Sequence, residues 1–323
     1  MRTRRFGRTG REVSELGVGM WGVADWSGTD EDEAKAALQL SANRGCTFYD
    51  TAWAYGEGAS ERILGDLVHA NPERRLLTAT KVPPKNRRWP TRRGDRLEEV
   101  FPPAHIREYA LRSRDNLGVD TIGLLQFHVW EDDWAEDTSW QEVVTALRVE
   151  GVIAAVGVSV NRWEPWNVLR TLETGLVDAV QVIYNIFDQA PEDELFPACR
   201  EHDVAVIARV PFDEGSLTGV LTADTRWPEG DWRNTYFVPE NLVATVERVE
   251  RLRPLVPEGM SLAEMALRFV LSCPDVATVI PGMRRIANVE ANVAAAAAGP
   301  LAPALLEMLR AHRWDRTPTA WSQ

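Results

Sequence analysis

Asp50, Lys81, His128, Ser159 and Gln181 lie at or near the ends of five successive apolar runs, and Tyr55 follows Asp50 with four residues between. A carboxylate, an ammonium, a phenol and an imidazole together can move a proton to or from an oxygen atom. A free tyrosine releases its proton only near a pKa of about 10. An adjacent ammonium stabilises tyrosinate and lowers that value. Each residue also has an ordinary structural role. Asp50 and Lys81 make an ion pair, His128 a core histidine, and Tyr55 a packing partner of Trp53. The ordinary roles leave the positional pattern unexplained, because five consecutive apolar runs end in polar groups on the same side.

Those runs lie near residues 16–20, 46–50, 76–81, 123–128, 153–158, 178–183, 204–208 and 276–280. Helical patterns separate them: Glu31–Arg44, Ser60–Ala70, His105–Leu117, Trp140–Glu150, Trp163–Thr174, Pro191–Glu201 and Leu262–Leu271. Eight strands alternating with helices are parallel βαβ units, and eight such units close into a (β/α)8 TIM barrel of the α/β class. Gly7 and Gly10 mark an N-terminal β-hairpin over residues 3–13. Gly299-Pro300 ends a helix carrying the alanine run 294–298, and a C-terminal helix and tail follow. Long connections at 82–103, 129–138 and 209–239 would all lie on the C-terminal face of the barrel, where such barrels keep their sites. No linker divides the chain, so residues 1–323 read as one domain.

The 323 residues carry a net charge of −12, which argues against binding nucleic acid or an anionic membrane surface. No run of about 18 apolar residues occurs. The three cysteines, Cys46, Cys199 and Cys273, have no CxxC spacing, and a reduced, cytoplasmic setting is expected. The five histidines form no HxH or HExxH, so no metal site is expected. Gly17-Val-Gly19-Met-Trp-Gly22 matches GxGxxG, but a dinucleotide fold would start a helix inside it. Here the helix begins at Thr29 or Asp30, so these glycines serve close backbone approach, and Asp30-Glu-Asp-Glu33 complements that helix's N-terminus.

The segment Phe48-Tyr-Asp50-Thr-Ala-Trp-Ala-Tyr55-Gly, followed by Ser60-Glu61, resembles the aldo-keto reductase superfamily. Ala79-Thr-Lys81, Leu124-Leu-Gln-Phe-His128, Gly157-Val-Ser159-Val, Val180-Gln181-Val-Ile-Tyr184-Asn185 and Ile280-Pro-Gly282-Met-Arg-Arg resemble further motifs of that family, in order. The resemblance implies an NADPH-dependent reductase of an aldehyde or ketone. Tyr55 would be the general acid, helped by Lys81 and Asp50, with His128 hydrogen-bonding the carbonyl. It also implies a cofactor pocket. Met20, Trp21 and Asp50 would lie by the nicotinamide ribose, and Ser159 and Gln181 on the carboxamide. Arg209, Val210, Pro211 and Phe212 would run toward the pyrophosphate. Gly282, Arg284, Asn288 and Asn292 would reach the adenosine end. A guanidinium at 284 suits a 2′-phosphate, and so NADPH over NADH. The alternative that the resemblance leaves open is a barrel binding NADPH as a redox sensor or partner subunit.

Four positions depart from the family pattern. Arg209 replaces an aromatic that stacks on the nicotinamide. Asp213 and Glu214 replace small or neutral residues by the pyrophosphate. Val220 stands where a lysine is usual, so Arg233 is expected to supply the charge. Ala291 replaces a glutamate. Trp21, Trp53, Trp89, Trp130, Trp134, Trp227, Trp232, Trp314 and Trp321 fall in the mouth loops or tail and suit an aromatic or apolar carbonyl substrate. The basic loop 85–93 and the acidic loop 131–137 are candidates to pair across the mouth.

Overall fold

A computed structural model of the chain describes residues 1–24 and 28–322. The N-terminal hairpin is present, with β1 (Thr3–Arg5) antiparallel to β2 (Glu12–Ser14). Eight parallel strands follow: β3 (Val18–Gly19), β4 (Phe48–Asp50), β5 (Leu77–Val82), β6 (Leu124–Phe127), β7 (Val156–Ser159), β8 (Ala179–Ile183), β9 (Ala205–Arg209) and β10 (Val276–Val279). They pair in sequence order. The barrel closes from β10 to β3 through bridges Leu16↔Val279 and Gly19↔Gly282. Gly17 N–H donates to Val279 O at 2.8 Å, and Gly19 N–H to Pro281 O at 3.0 Å. A Cβ at Gly19 would stand 2.7 Å from Ile280 O, so these glycines do serve close backbone approach at the seam.

Side chains alternate across a strand, so residues two apart share a face. Inside the barrel, Phe48, Leu77, Ala79, Leu124, Ala179, Ala205 and Ile207 form an apolar cluster, joined at its base by Phe6 and Val13 of the hairpin region. Phe6 meets Phe48 with ring centroids 5.5 Å apart. Stepping two residues along each strand from this cluster reaches Asp50, Lys81, Gln126, Gln181 and Arg209. The hairpin plugs one end, and the alternation places the polar groups at the other. A larger apolar cluster fills the space between strands and surrounding helices, including Trp130, Trp134 and Trp140.

The helices follow the expected order, with three larger differences besides the short helices Leu97–Val100 and Arg233–Tyr236 inside the long connections. Asp30 caps Glu31–Asn43 by accepting from Asp32 and Glu33 N–H, as the acidic run implied. Of the expected helix Trp163–Thr174, only Leu169–Glu173 is helical. Trp163 has φ 60°, and Asp132 accepts from Arg170 and Thr171 N–H, which caps the helix late. Pro191–Glu201 shortens to Leu195–Glu201 after a 3-10 turn at Ala190–Glu192. The third difference is a helix at Pro239–Leu252, directly after the long connection, burying Leu242, Thr245, Val249 and Leu252 on one face. The helix Ile286–Ala298 ends at Gly299, φ 81°, and Pro303–Arg310 forms the last helix before the tail. No single helix among the described residues is long and apolar enough to cross a membrane.

Candidate active site

Lys81 lies near the C-terminal end of β5, at the barrel mouth. Its Nζ donates to Asp50 Oδ2 at 2.6 Å and Thr51 O at 2.8 Å, and lies 3.5 Å from Tyr55 Oη. Its side chain is 1% exposed and that of Asp50 4%. The second oxygen of Asp50 accepts from Gln126 Nε2 at 2.9 Å and Gln181 Nε2 at 2.8 Å. The carboxylate is therefore satisfied on both sides, and every bond holds its charge in place. The Tyr55 and His128 rings meet edge to face at 5.8 Å, and Trp89 also meets His128 edge to face at 5.8 Å. The structure thus brings the four expected residues together.

The electrostatics partly depart from expectation. Burial lifts the Tyr55 pKa above its ordinary value; Lys81 pulls it down but does not overcome burial. The phenol is therefore a protonated donor at neutral pH, the form that protonating an oxygen requires. Burial opposes charge on Lys81 too, but Asp50 and Tyr55 outweigh it and raise its pKa. Burial, Lys81 and Arg209 together push His128 well below the usual histidine value, so its imidazole is neutral at pH 7. Its Nδ1 is buried without a hydrogen-bond partner.

Gln126 was not among the residues singled out from sequence. The signal was there: it lies two residues before His128 and therefore on the same strand face. Gln181, expected on a carboxamide, spends its amide nitrogen on Asp50 and leaves its carbonyl oxygen for such a contact. Ser159 is buried at the end of β7. Met20, expected by the ribose, is wholly buried, and its main chain is engaged within the protein: its N–H donates to Asp50 O at 2.9 Å and its carbonyl accepts from Ser60 Oγ at 3.2 Å. Trp21 is exposed and packs against Trp232 at 5.1 Å.

The departures at 209–220 have counterparts elsewhere in the chain. Asp213 is held by Arg316 at 2.8 Å, which also grips Asp188. Arg316 lies 4.7 Å from the Trp163 and Trp314 ring centroids. Glu214 is held by Arg162 at 2.6 Å. Val210, Asp213 and Glu214 all have positive φ, so these pairs secure a backbone that few non-glycine residues adopt. Pro211 is buried and Phe212 half-buried beside them. Neither Arg162 nor Arg316 was legible as a partner, because each comes from a distant segment.

Arg284 donates to Thr29 Oγ1 at 2.9 Å. Burial, Arg285 and Arg233 lower its pKa, so three guanidiniums gather at the N-terminal end of Ile286–Ala298. Arg285, at the N-cap of that helix, makes no side-chain capping bond. Arg233 itself pairs with Asp231 at 2.6 Å. Asn288 is exposed and Asn292 buried one turn on, while Gly282 is exposed.

The two charged mouth loops do not pair through their charges. Asp133 and Glu136 meet Arg170, and Arg88 meets Asp95. The loops join through Thr91, whose hydroxyl donates to Glu131 Oε1 at 2.5 Å. Trp130 and Trp134, expected as substrate walls, are core residues, as their near-complete burial shows. Trp21, Trp89 and Trp232 remain around the mouth.

The family model "Aldo/keto reductase family" matches residues 15–313. The chain belongs to that family of oxidoreductases. It is 30% identical over 303 residues to the NADH-specific methylglyoxal reductase of Escherichia coli (strain K12), covering 90% of this chain and 92% of that protein. It is 28% identical to aldo-keto reductase yakc [NADP(+)] of Schizosaccharomyces pombe, covering 91% and 86%. Among solved structures, aldo-keto reductase AKR11C1 from Bacillus halodurans (holo form) has a TM-score of 0.77 at 28% identity, covering 100% of both chains.

Replacing Arg316 with Met should destabilise the fold by about 3–5 kcal/mol, because two buried carboxylates lose their counter-charge. Urea unfolding measures this. A loss below about 1 kcal/mol would mean that the carboxylates find other partners.

Proposed function

We propose that the chain is an NADPH-dependent reductase of aldehydes or ketones. The observation that carries this is the Lys81 ammonium, held between Asp50 and the Tyr55 hydroxyl in a buried mouth. When bound, a reduced nicotinamide would supply hydride to the carbonyl carbon. The chain's own part is the proton and the geometry. Tyr55 donates its phenolic proton to the carbonyl oxygen, and Lys81 stabilises the tyrosinate left behind. Asp50, fixed by Gln126 and Gln181, keeps Lys81 charged and aimed. Neutral His128 hydrogen-bonds the carbonyl oxygen and orients it toward the hydride.

The cofactor assignment rests on charge and position. Arg284, Arg285 and Arg233 gather at a helix N-terminus whose N-cap residue makes no side-chain capping bond, a setting suited to a 2′-phosphate. Ser159 and the carbonyl of Gln181 suit a carboxamide. The exposed ring of Trp21 would flank the ribose, with buried Met20 behind it setting the backbone beside Asp50. Arg209, Val210, Pro211 and Phe212 would lead to the pyrophosphate. Asn288 and Asn292 would take the adenine side, and Gly282 gives room for close approach. Trp21, Trp89 and Trp232 favour an aromatic or apolar substrate. The reading of residues 1–323 as one catalytic domain in a cytoplasmic setting belongs to the same proposal.

A screen of NADPH oxidation against small aldehydes, ketones, quinones and keto-sugars should find turnover. Tyr55→Phe should lose at least about 100-fold in kcat while still binding cofactor. Cofactor binding without turnover on every class would favour a sensor or partner subunit instead. Near-normal turnover by Tyr55→Phe would remove the proposed acid.

Arg284→Ala should weaken NADPH binding by about tenfold or more and leave NADH binding nearly unchanged, by direct titration. Equal weakening of both would remove the case for the phosphorylated cofactor.

A further inference from the structure

Arg209 ends β9, in register with Ile183 of β8. Its Nη2 donates to Val160 O at 3.1 Å, and its Nε is buried without a hydrogen bond in the protein. Among the described residues, no carboxylate forms an ion pair with it. The acid that attracts it, Glu214, is already held by Arg162 at 2.6 Å, and Arg162 itself repels Arg209. Asp50, the other carboxylate acting on it, is committed to Lys81. Among the described residues, the three cations Lys81, Arg162 and Arg209 thus face two carboxylates, each already paired with another cation. Burial and Arg162 push the Arg209 pKa down to about 10, which still leaves it charged at neutral pH.

An uncompensated, partly desolvated cation penalises any second positive charge brought beside it. Arg209 acts electrostatically on Tyr55 and on His128, so its field covers the place where a carbonyl would be held. On the reading proposed above, the hydride-donating ring must lie against that carbonyl and hence within the same field. That ring is neutral when reduced and carries a positive charge when oxidised.

We infer that Arg209 selects the redox state of the cofactor, admitting the neutral reduced ring and weakening the hold on the cationic oxidised one. The selection favours reduction, because the oxidised product is the form the site holds less well. Reciprocity of linkage makes the same statement about the bound couple: binding shifts it toward the reduced form. The guanidinium plane still offers a flat surface to the ring, so a change that removes charge and keeps length isolates the electrostatic part.

The test is titration of the cofactor-free protein with NADPH, NADP+, NADH and NAD+, followed by calorimetry or tryptophan fluorescence. The wild type is compared with Arg209→Met and Arg209→Lys. The ratio of oxidised to reduced dissociation constants should fall on the order of tenfold in Arg209→Met and be largely retained in Arg209→Lys. The change should be the same for the phosphorylated and unphosphorylated pairs. Equal shifts of both redox forms in Arg209→Met would overturn the inference. A protein that binds NADH better than NADPH, yet shows the ratio falling, would overturn the phosphate assignment and uphold this one. Failure of the wild type to bind any of the four would overturn both.

Discussion

Two unit charges of opposite sign, Lys81 and Asp50, lie almost wholly out of water at 2.6 Å from each other. A buried ion pair is tolerable only when its remaining donors and acceptors are also met. Here they are. Lys81 reaches Asp50, Thr51 O and Tyr55, and Asp50 also accepts from Gln126 and Gln181. The partners come from β4 and the loop after it, and from β5, β6 and β8, so the pair ties together a large part of the barrel mouth. Removing one partner would strand the other charge, which explains why the polar set must be complete rather than approximate. Below it, the Phe48, Leu77, Ala79, Leu124 and Ala179 layer excludes water and makes the barrel's far end inert.

Much of this was legible in the chain because it depends on period and order. Alternation along a strand maps Phe48 to Asp50, Ala79 to Lys81 and Leu124 through Gln126 to His128. The same alternation contained Gln126, passed over because glutamine has no acid–base chemistry of its own. Its role comes from the carboxylate it holds. The glycine pair Gly17 and Gly19 was legible too, since the helix after it starts only at Glu31, capped by Asp30, too late for a phosphate-binding turn.

What was not legible depends on distant partners. Asp213 and Glu214 look like unfavourable acids in a segment expected near phosphate. Arg316, 103 residues on, and Arg162, 52 residues back, neutralise them. The shortening of Trp163–Thr174 has the same origin, because Asp132 of another loop sets where the helix starts. The tryptophans illustrate the limit of composition. Trp130 and Trp134 belong to loops that should line the mouth, yet they turn inward and pack with Phe127 and Trp140. Burial, which local sequence does not specify, also decides the Tyr55 pKa against the pull of Lys81.

On the proposed function, Lys81, fixed by Asp50, serves proton transfer through Tyr55 rather than cofactor binding or folding alone. The most direct measurement is single-turnover reduction by Lys81→Met in a stopped-flow instrument. Cofactor affinity would be titrated on the same preparation, and its fold checked by circular dichroism. The reduction rate should fall by about 100-fold or more, with cofactor affinity changed by less than about threefold. A folded Lys81→Met protein that reduces its substrate at the wild-type rate, or whose loss is entirely one of cofactor binding, would contradict it.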